Sequence, residues 1–197
     1  MKSKMTTAQL TCSTVAAFAM TLGSMCAQAH DDHQHSNSTQ SWSERDQKRA
    51  GELIKIVRNS TARYRDVTAA EADGYALMFG CVSGADWGAM GLHYVNMSLV
   101  TDGKLDATRP EIVIYEPLPN GRRRIVGADY LVFAADWHAT NAAAPQIEGQ
   151  LMHLIESPNR YGLPSFYTLH VWAWKDNANG AFVNWHPNVS CEDFEGE

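Results

Sequence analysis

One stretch near the end of the chain, from Phe166 to Trp174, constrains the fold more than any other part of the sequence. Its residues alternate with the period of two that is typical of a β-strand, so successive side chains point to opposite faces of a sheet. One face is aliphatic and suits a hydrophobic core: Leu169, Val171 and Ala173. The other face carries aromatic and imidazole rings: His170, Trp172 and Trp174.

The ring-bearing face is unusual, because the solvent side of a sheet normally carries residues such as Thr, Lys or Glu. The sequence therefore predicts that something covers this second face. In one interpretation, a loop or a helix packs on it and His170 is a hydrogen-bonded core residue. In the other, the face forms a metal or ligand pocket, which needs further residues from elsewhere in the chain.

Residues 1–29 have the pattern of a cleavable signal peptide. Two lysines precede an apolar run from Leu10 to Met25, and Ala27-Gln28-Ala29 supplies the small residues that signal peptidase accepts, so cleavage is predicted after Ala29. The run is too short to span a bilayer, as is every later apolar segment. Cys26 leaves a lipoprotein as an alternative, although Met25 is a poor residue for a lipobox. The mature protein is therefore expected to be periplasmic or secreted.

The charge of the mature protein limits its partners. The whole chain has a net charge of −6, and removal of residues 1–29 takes away two lysines and no acid, which leaves −8. A chain this acidic is a poor match for nucleic acid or for an anionic membrane. We therefore expect a small-molecule ligand or substrate, with no nucleic acid and no membrane as partner. The sequence specifies no oligomeric state.

Two cysteines, Cys81 and Cys191, remain after signal removal. An even pair in an oxidising compartment predicts a disulfide bond between them. Such a bond closes a loop of roughly 110 residues and, on the chain-entropy model, contributes on the order of 4–5 kcal/mol. The alternative is a catalytic or metal-binding cysteine.

Residues 30–41 have no apolar side chain to bury and are predicted to be a disordered tail. The tail concentrates three histidines, His30, His33 and His35, which together form a possible metal site. Cleavage after Ala29 also makes His30 the N-terminus, where its amine and imidazole can chelate copper as in histidine-brace enzymes. A tail that scavenges metal is the interpretation that such a loose segment favours.

Residues 42–197 are predicted to form a single α+β domain. Helices are expected over 42–60 and from residue 61 to about 73, and the glycine-rich residues 75–91 are expected to form a tight loop. Strands are expected over 92–97 and 166–174, and residues 111–134 have the pattern of a β-hairpin. The predicted architecture is two N-terminal helices packed on an antiparallel sheet of about five strands, with one disulfide.

Several short motifs together resemble an uncharacterised family of exported microbial proteins. They are Gly88-Ala89-Met90-Gly91-x-His93-Tyr94-x-Asn96, Pro110-Glu111-x-x-x-Tyr115-Glu116, Leu169-His170-Val171-Trp172-x-Trp174 and the ending Val189-Ser190-Cys191. No activity is established for that family, so the resemblance assigns no catalytic residue. His186 stands where the family's ending has Asn, which makes it a poor candidate for an essential ligand.

Three residues on predicted strands are the candidate metal ligands: His93, Glu111 and His170. Two imidazoles and one carboxylate hold a divalent metal such as copper, zinc or iron(II) while leaving coordination positions open. Four aromatic residues are expected to wall the adjoining ligand pocket: Tyr94, Tyr115, Trp172 and Trp174. No local spacing such as H-x-x-x-H ties the histidines together, so the set follows from strand faces alone.

Three functions are consistent with these features. The first is an exported metal-dependent protein, with oxidoreductase or lyase activity on a small molecule, aromatic molecules included. The second is a binding module whose tryptophan-lined cleft holds a ligand without chemistry. The third is a metal-handling protein that acts through its histidine tail. Hydrolysis by a Ser or Cys nucleophile is disfavoured because no nucleophile motif is present.

Overall fold

The computed structural model describes residues 44–196, which are built around a six-stranded antiparallel sheet. Its strands, in spatial order, are β1 (Ala76–Gly84), β2 (Gly88–Val95), β3 (Ile112–Leu118), β4 (Arg122–Phe133), β8 (Phe166–Val171) and β7 (His153–Ile155). A separate two-stranded ladder joins β5 (Gln146–Ile147) to β6 (Gln150–Leu151). The α+β class is confirmed, with six strands in the sheet in place of about five. The predicted signal peptide and histidine tail lie outside the described residues.

Within residues 44–196, four α-helices and two 3-10 turns accompany the sheet. They are α1 (Glu44–Ser60), the turn Ala62–Arg65, α2 (Val67–Ala72), α3 (Met97–Val100), the turn Pro119–Gly121 and α4 (Ala134–His138). The single helix expected over residues 61–73 is broken at Asp66, because its extended backbone and its side-chain bond to Thr68 N, 3.0 Å long, make it the N-cap of α2. Within residues 44–196, none of the helices has both the length and the hydropathy that crossing a bilayer requires.

One face of the sheet packs on the N-terminal helices. Leu53 and Val57 of α1 are fully buried against β4 and β8, in a cluster that includes Leu169, Val171 and Ala173. Their predicted role as the core face of the strand is therefore confirmed. Next to this cluster, Ala70 of α2 packs with residues of β2 and β3. Full burial of a Leu or Val side chain contributes roughly 1.5–3 kcal/mol, so this face carries much of the hydrophobic stabilisation.

The glycine-rich residues 75–91 form a hairpin of two strands in place of the expected loop. Their glycines permit an irregular ladder: the register shifts at Phe79 and Gly80, which both have a φ near +64°. A further glycine, Gly88, is needed because a Cβ atom there would overlap the backbone carbonyl of His186. This close approach lets Ala89 and His186 exchange backbone hydrogen bonds of 3.1 and 3.2 Å. The C-terminal segment is thereby held against β2.

The disulfide between Cys81 and Cys191 is confirmed, with a distance of 5.7 Å between the two Cα atoms. It ties β1, at one edge of the sheet, to the C-terminal segment. That segment and residues 155–166 cover the second face of the sheet, where Val189 and Trp172 pack against Ile114 and Val126. The covering predicted for the ring-bearing face is therefore present, and it leaves a cavity over the middle strands.

Candidate metal centre

The strand register brings three polar residues to the second face of the sheet. Residues that lie directly opposite each other in an antiparallel ladder project from the same face. Ile112 of β3 pairs with Val95 on one side and with Asp129 of β4 on the other, and Asp129 in turn pairs with His170 of β8. His93 lies two residues before Val95 and so shares that face. His93, Asp129 and His170 therefore line one side of the middle of the sheet.

The three side chains form a compact, buried group. Each offers a nitrogen or oxygen atom, and these atoms all lie within 4.8 Å of one another. The two imidazole rings meet edge to face with 5.7 Å between their centroids. The exposed fractions of His93, Asp129 and His170 are 6, 3 and 3%, so water screens the group only weakly. In the part of the chain that the structure describes, this is the group that satisfies the geometry of a three-ligand metal site.

His93 is oriented by its own strand. Its Nδ1 atom lies 3.1 Å from the carbonyl oxygen of Gly91, which acts as an acceptor only, so the proton resides on Nδ1 and Nε2 keeps its lone pair. Metal-binding histidines commonly use one ring nitrogen in this way, since a backbone carbonyl fixes the tautomer. Burial, followed by the neighbouring His170, lowers the pKa of His93 to about 4. The ring is therefore neutral at pH 7 and available as a ligand.

His170 lacks the contacts expected of a structural histidine. Among the described residues, neither ring nitrogen has a hydrogen-bond partner, although both atoms are buried. An unpaired buried polar group costs roughly 1–3 kcal/mol, and exceptions in native proteins mark sites of function or of a bound ion. Burial lowers the pKa of His170 to about 3, so its 3.6 Å contact with Asp129 is not an ion pair at neutral pH. The described residues therefore do not supply the hydrogen bonds that the interpretation of His170 as a core residue requires.

Asp129 is the carboxylate of the group. Its Oδ1 atom accepts hydrogen bonds from Thr168 Oγ1 at 2.7 Å and from the Leu169 amide at 3.1 Å. Burial raises the pKa of Asp129 to about 6 while these hydrogen bonds oppose the shift, so the carboxyl group titrates close to neutral pH. A carboxylate held by a neighbouring hydroxyl and amide is fixed in direction, as carboxylate ligands of metals are.

A cavity of about 60 Å³ adjoins the three residues. Apart from them, its walls are mostly apolar or aromatic: Phe79, Met90, Val95, Ile112, Leu131, Ile155, Tyr161, Leu163 and Phe166. The polar lining is completed by Thr168 and Asn184, and none of the described residues that line the cavity is a lysine or an arginine. The cavity is less than half as large as the about 150 Å³ cavity that takes benzene, so it fits an ion with a few waters or one very small molecule.

Glu111, the carboxylate predicted from the sequence, lies outside this group. Its backbone carbonyl accepts a bond of 2.8 Å from the Asn96 amide, which extends the ladder and places Glu111 on the face opposite His93. Its Oε2 atom accepts a hydrogen bond of 3.0 Å from the Leu131 amide. Burial raises the pKa of Glu111 to about 8. The structure thus brings His93 and His170 together, with Asp129 in the place predicted for Glu111.

The four aromatic residues predicted to wall the pocket are divided between the two faces. Tyr94 and Tyr115 stack edge to face at 5.0 Å in the cluster beneath α2, on the face away from the cavity. Trp174 also lies on the helix side, where its Nε1 atom donates to Thr61 Oγ1. Trp172 is the one that contacts the site, since its ring stacks on His170 with 6.0 Å between centroids. It acts as the support behind His170.

Two site residues escaped the sequence interpretation, Asp129 and Asn184. Asp129 is a lone acid within the apolar run from Ile125 to Phe133, and that position in a central strand was the available signal. The sequence offers no such signal for Asn184, because it lies outside the strands and so outside any alternating pattern. His186 is fully buried and lies outside the three-residue group. The tail histidines His30, His33 and His35 lie outside the described residues.

Comparison of the chain with protein-family models, with curated proteins and with solved structures finds no match. The function has to be inferred from the site itself.

Proposed function

We propose that the protein is an exported metal-binding protein that holds one divalent cation through His93, Asp129 and His170. The observation that carries the proposal is His170, a buried imidazole whose two nitrogens have no hydrogen-bond partner among residues 44–196 while the Asp129 carboxyl group lies 3.6 Å away. A cation bound among the three residues would coordinate one nitrogen of His170 and pair with the Asp129 carboxylate at the same time. The predicted signal peptide and the disulfide support export, since disulfides persist mainly outside the cytoplasm.

The charge of the group favours a cation over a structural role. Burial lowers the pKa of both imidazoles to about 4 and about 3, so they are neutral at pH 7, and Asp129 is a buried carboxyl group that is negative once it is ionised. Buried charges in proteins are normally paired or coordinated to a metal, because an isolated one is costly. Among residues 44–196, the cavity lining supplies no lysine or arginine to pair with it. A divalent cation supplies the missing charge.

The ligand set points to a reactive rather than a structural metal. Two imidazoles and one carboxylate leave open positions on zinc, and the same set is typical of non-haem iron(II) sites. Copper also binds imidazole readily, so copper, zinc and iron(II) are the metals to test. The three side chains line a cavity that admits a very small molecule. We therefore propose a metal-dependent oxidoreductase or lyase activity on a very small substrate; an aromatic substrate requires that wall residues move.

Two alternatives remain as competing proposals. The histidine tail, with His30, His33 and His35, supports a metal-handling role that is independent of the folded site. The binding module with a tryptophan-lined cleft has less support, because Trp174 lies on the helix side of the sheet. Only the folded-site proposal requires His170.

The test is elemental analysis of the mature protein, purified without a polyhistidine tag and after reconstitution with copper, zinc or iron(II). We compare it with a version that lacks residues 30–41, with His170→Ala, and with the control His138→Ala, whose histidine is exposed and contacts Tyr167 instead. About one equivalent of metal should survive tail deletion and the control substitution and be lost with His170→Ala. Metal that leaves with the tail supports metal handling, and no metal in any version rejects both metal proposals.

A further inference from the structure

The cavity contains one polar atom that the three proposed ligands leave unexplained. Asn184 lines the same cavity as His93 and His170, and its Oδ1 atom is buried without a hydrogen-bond partner among the described residues. A side-chain carbonyl oxygen accepts hydrogen bonds and cannot donate them. Leaving it unpaired is costly, so its position calls for a donor.

The backbone on both sides of Asn184 is fixed. The carbonyl of Val183 accepts a bond of 2.6 Å from Trp172 Nε1, and the carbonyl of Trp185 accepts a bond of 2.9 Å from Asn177 Nδ2. Trp172 is the residue whose ring stacks on His170, so one side chain braces both the imidazole and the Asn184 segment. Asn184 is therefore preorganised beside the group, as residues that contact a ligand tend to be.

Among the described residues, no donor lies within hydrogen-bond distance of Asn184 Oδ1. Most of the cavity wall is aliphatic or aromatic carbon, and the Thr168 hydroxyl already donates to Asp129. The Tyr161 hydroxyl donates to Met90 Sδ, 3.5 Å away. A donor carried by the molecule that occupies the cavity can therefore pair with Oδ1. A ligand of the metal that also carries an O–H or N–H hydrogen meets both requirements.

We infer that Asn184 accepts a hydrogen bond from a small ligand of the metal and thereby selects ligands that carry a hydrogen atom. The ligand class is molecules of two or three heavy atoms with an O–H or N–H group, together with water itself, because the cavity is about 60 Å³. Ligands of the same size without hydrogen, such as azide, leave Oδ1 unpaired. This inference rests on the proposed metal site and adds its substrate class and a specificity-determining residue.

The size of the expected selectivity follows from the free energy that one hydrogen bond contributes. Affinity falls when a water or a ligand that donates a hydrogen bond to Oδ1 is replaced by a ligand that cannot donate one. The net free energy of a typical hydrogen bond corresponds to about a three- to tenfold ratio of affinities. Asn184 should therefore contribute a preference of this size for hydroxylamine over azide. Removal of the acceptor should abolish that part of the preference without changing metal loading.

The experiment uses the mature protein loaded with Co²⁺, whose visible absorption reports changes in the ligands of the metal. Hydroxylamine and azide are titrated separately at pH 7.5, and the ratio of their affinities is compared among variants. Asn184→Leu keeps the approximate shape and loses the acceptor, Asn184→Asp keeps an acceptor oxygen, and Asn179→Ala is the control in an exposed turn nearby. The ratio should fall about three- to tenfold in Asn184→Leu only. Asn184→Ala gives the same comparison where the Leu variant does not fold.

Each outcome bears on one proposal. An unchanged ratio in Asn184→Leu, or an equal fall in Asn179→Ala, overturns the inference and leaves the metal site intact. Loss of the metal itself in Asn184→Leu assigns Asn184 as a metal ligand and overturns the selecting role. A wild-type protein that loads no metal overturns the proposed function and this inference together.

Discussion

Asp129 lies directly opposite His170 in the ladder between β4 and β8, and its Oδ1 atom is 3.6 Å from His170 Nδ1. Because the two residues are paired in register, backbone hydrogen bonds of the sheet set their separation. His93 joins them from β2 through the same face of β3. The candidate centre is therefore built on four central strands of the sheet, which hold side chains more firmly than loops do.

Replacing each carboxylate in turn by its amide tests whether Asp129 or Glu111 is the metal ligand. Asp129→Asn should lower metal affinity at least about 100-fold, the upper limit of typical effects for residues that merely support a ligand. Glu111→Gln is the matched control, because Glu111 is equally buried but lies on the other face. Competition with a chromophoric chelator measures both affinities. A larger loss in Glu111→Gln than in Asp129→Asn would restore Glu111 as the ligand.

Removal of the unpaired imidazole should stabilise the metal-free protein. His170→Leu replaces by carbon two buried nitrogens that have no partner in the described part of the chain, so we expect a gain of roughly 1–3 kcal/mol in the free energy of unfolding at pH 7. The same variant should bind no metal at this site. Urea unfolding in the presence of a chelator measures the gain.

The adjacent core residue provides the contrast. Leu169→Ala should cost about 2–5 kcal/mol, because Leu169 is 1% exposed in the cluster beneath α1. It should keep one metal per folded molecule. A His170→Leu protein that is clearly less stable than wild type would show that His170 has a structural role instead.

The stability of the metal-free protein should fall as pH rises from 6.5 to 8. Burial raises the pKa of Glu111 from 4.5 to about 8, so in this interval the folded state binds the proton more tightly than the unfolded state does. Integrating one proton over this window gives a loss of roughly 2 kcal/mol. Urea midpoints at three pH values measure it.

Other buried groups titrate outside this window. The pKa shifts of His93, His170 and Asp129 change the stability only below about pH 6.5. Those of the buried tyrosines change it only above pH 10. Glu111→Gln should therefore make the profile flat. Glu116→Gln should keep the wild-type slope, since Lys175 and Arg124 lower the pKa of Glu116 and it is ionised throughout. A flat wild-type profile contradicts the prediction.

Loss of the disulfide should destabilise the protein strongly. The bond joins residues separated by 110 positions, so the chain-entropy model gives roughly 4–5 kcal/mol for the variant in which Cys81 and Cys191 are both Ser. Urea unfolding of this variant, beside the wild type in its oxidised and reduced forms, measures the effect. A change below about 1 kcal/mol would show that the unfolded chain keeps these segments close without the bond.

The sequence was informative wherever local pattern determines structure. The alternation in residues 166–174 identified both the core face with Leu169 and the covered face with His170. The two remaining cysteines predicted the disulfide, and the pattern of residues 111–134 predicted the hairpin of β3 and β4. In each case neighbouring residues along the chain, or a simple count, carry the information.

The sequence was less informative where the pairing of distant strands determines which side chains meet. Alternation assigns Glu111 and Ile112 to opposite faces of β3, but only the register with β2 shows that Ile112 is on the face of His93. A shift of one residue would reverse the assignment. The hairpin of β1 and β2 was missed because its bulge at Phe79 and Gly80 interrupts the period of two.

The ligands of the centre come from β2, β4 and β8, which lie far apart along the chain. An unfolded chain brings them together only rarely, so an ion bound there acts almost entirely on the native state. At a free concentration 100 times its dissociation constant, such an ion opposes unfolding by about 2.7 kcal/mol. Under the proposed function, the supply of metal around the protein would set how often it opens to proteases, and scarcity of the metal would shorten its lifetime.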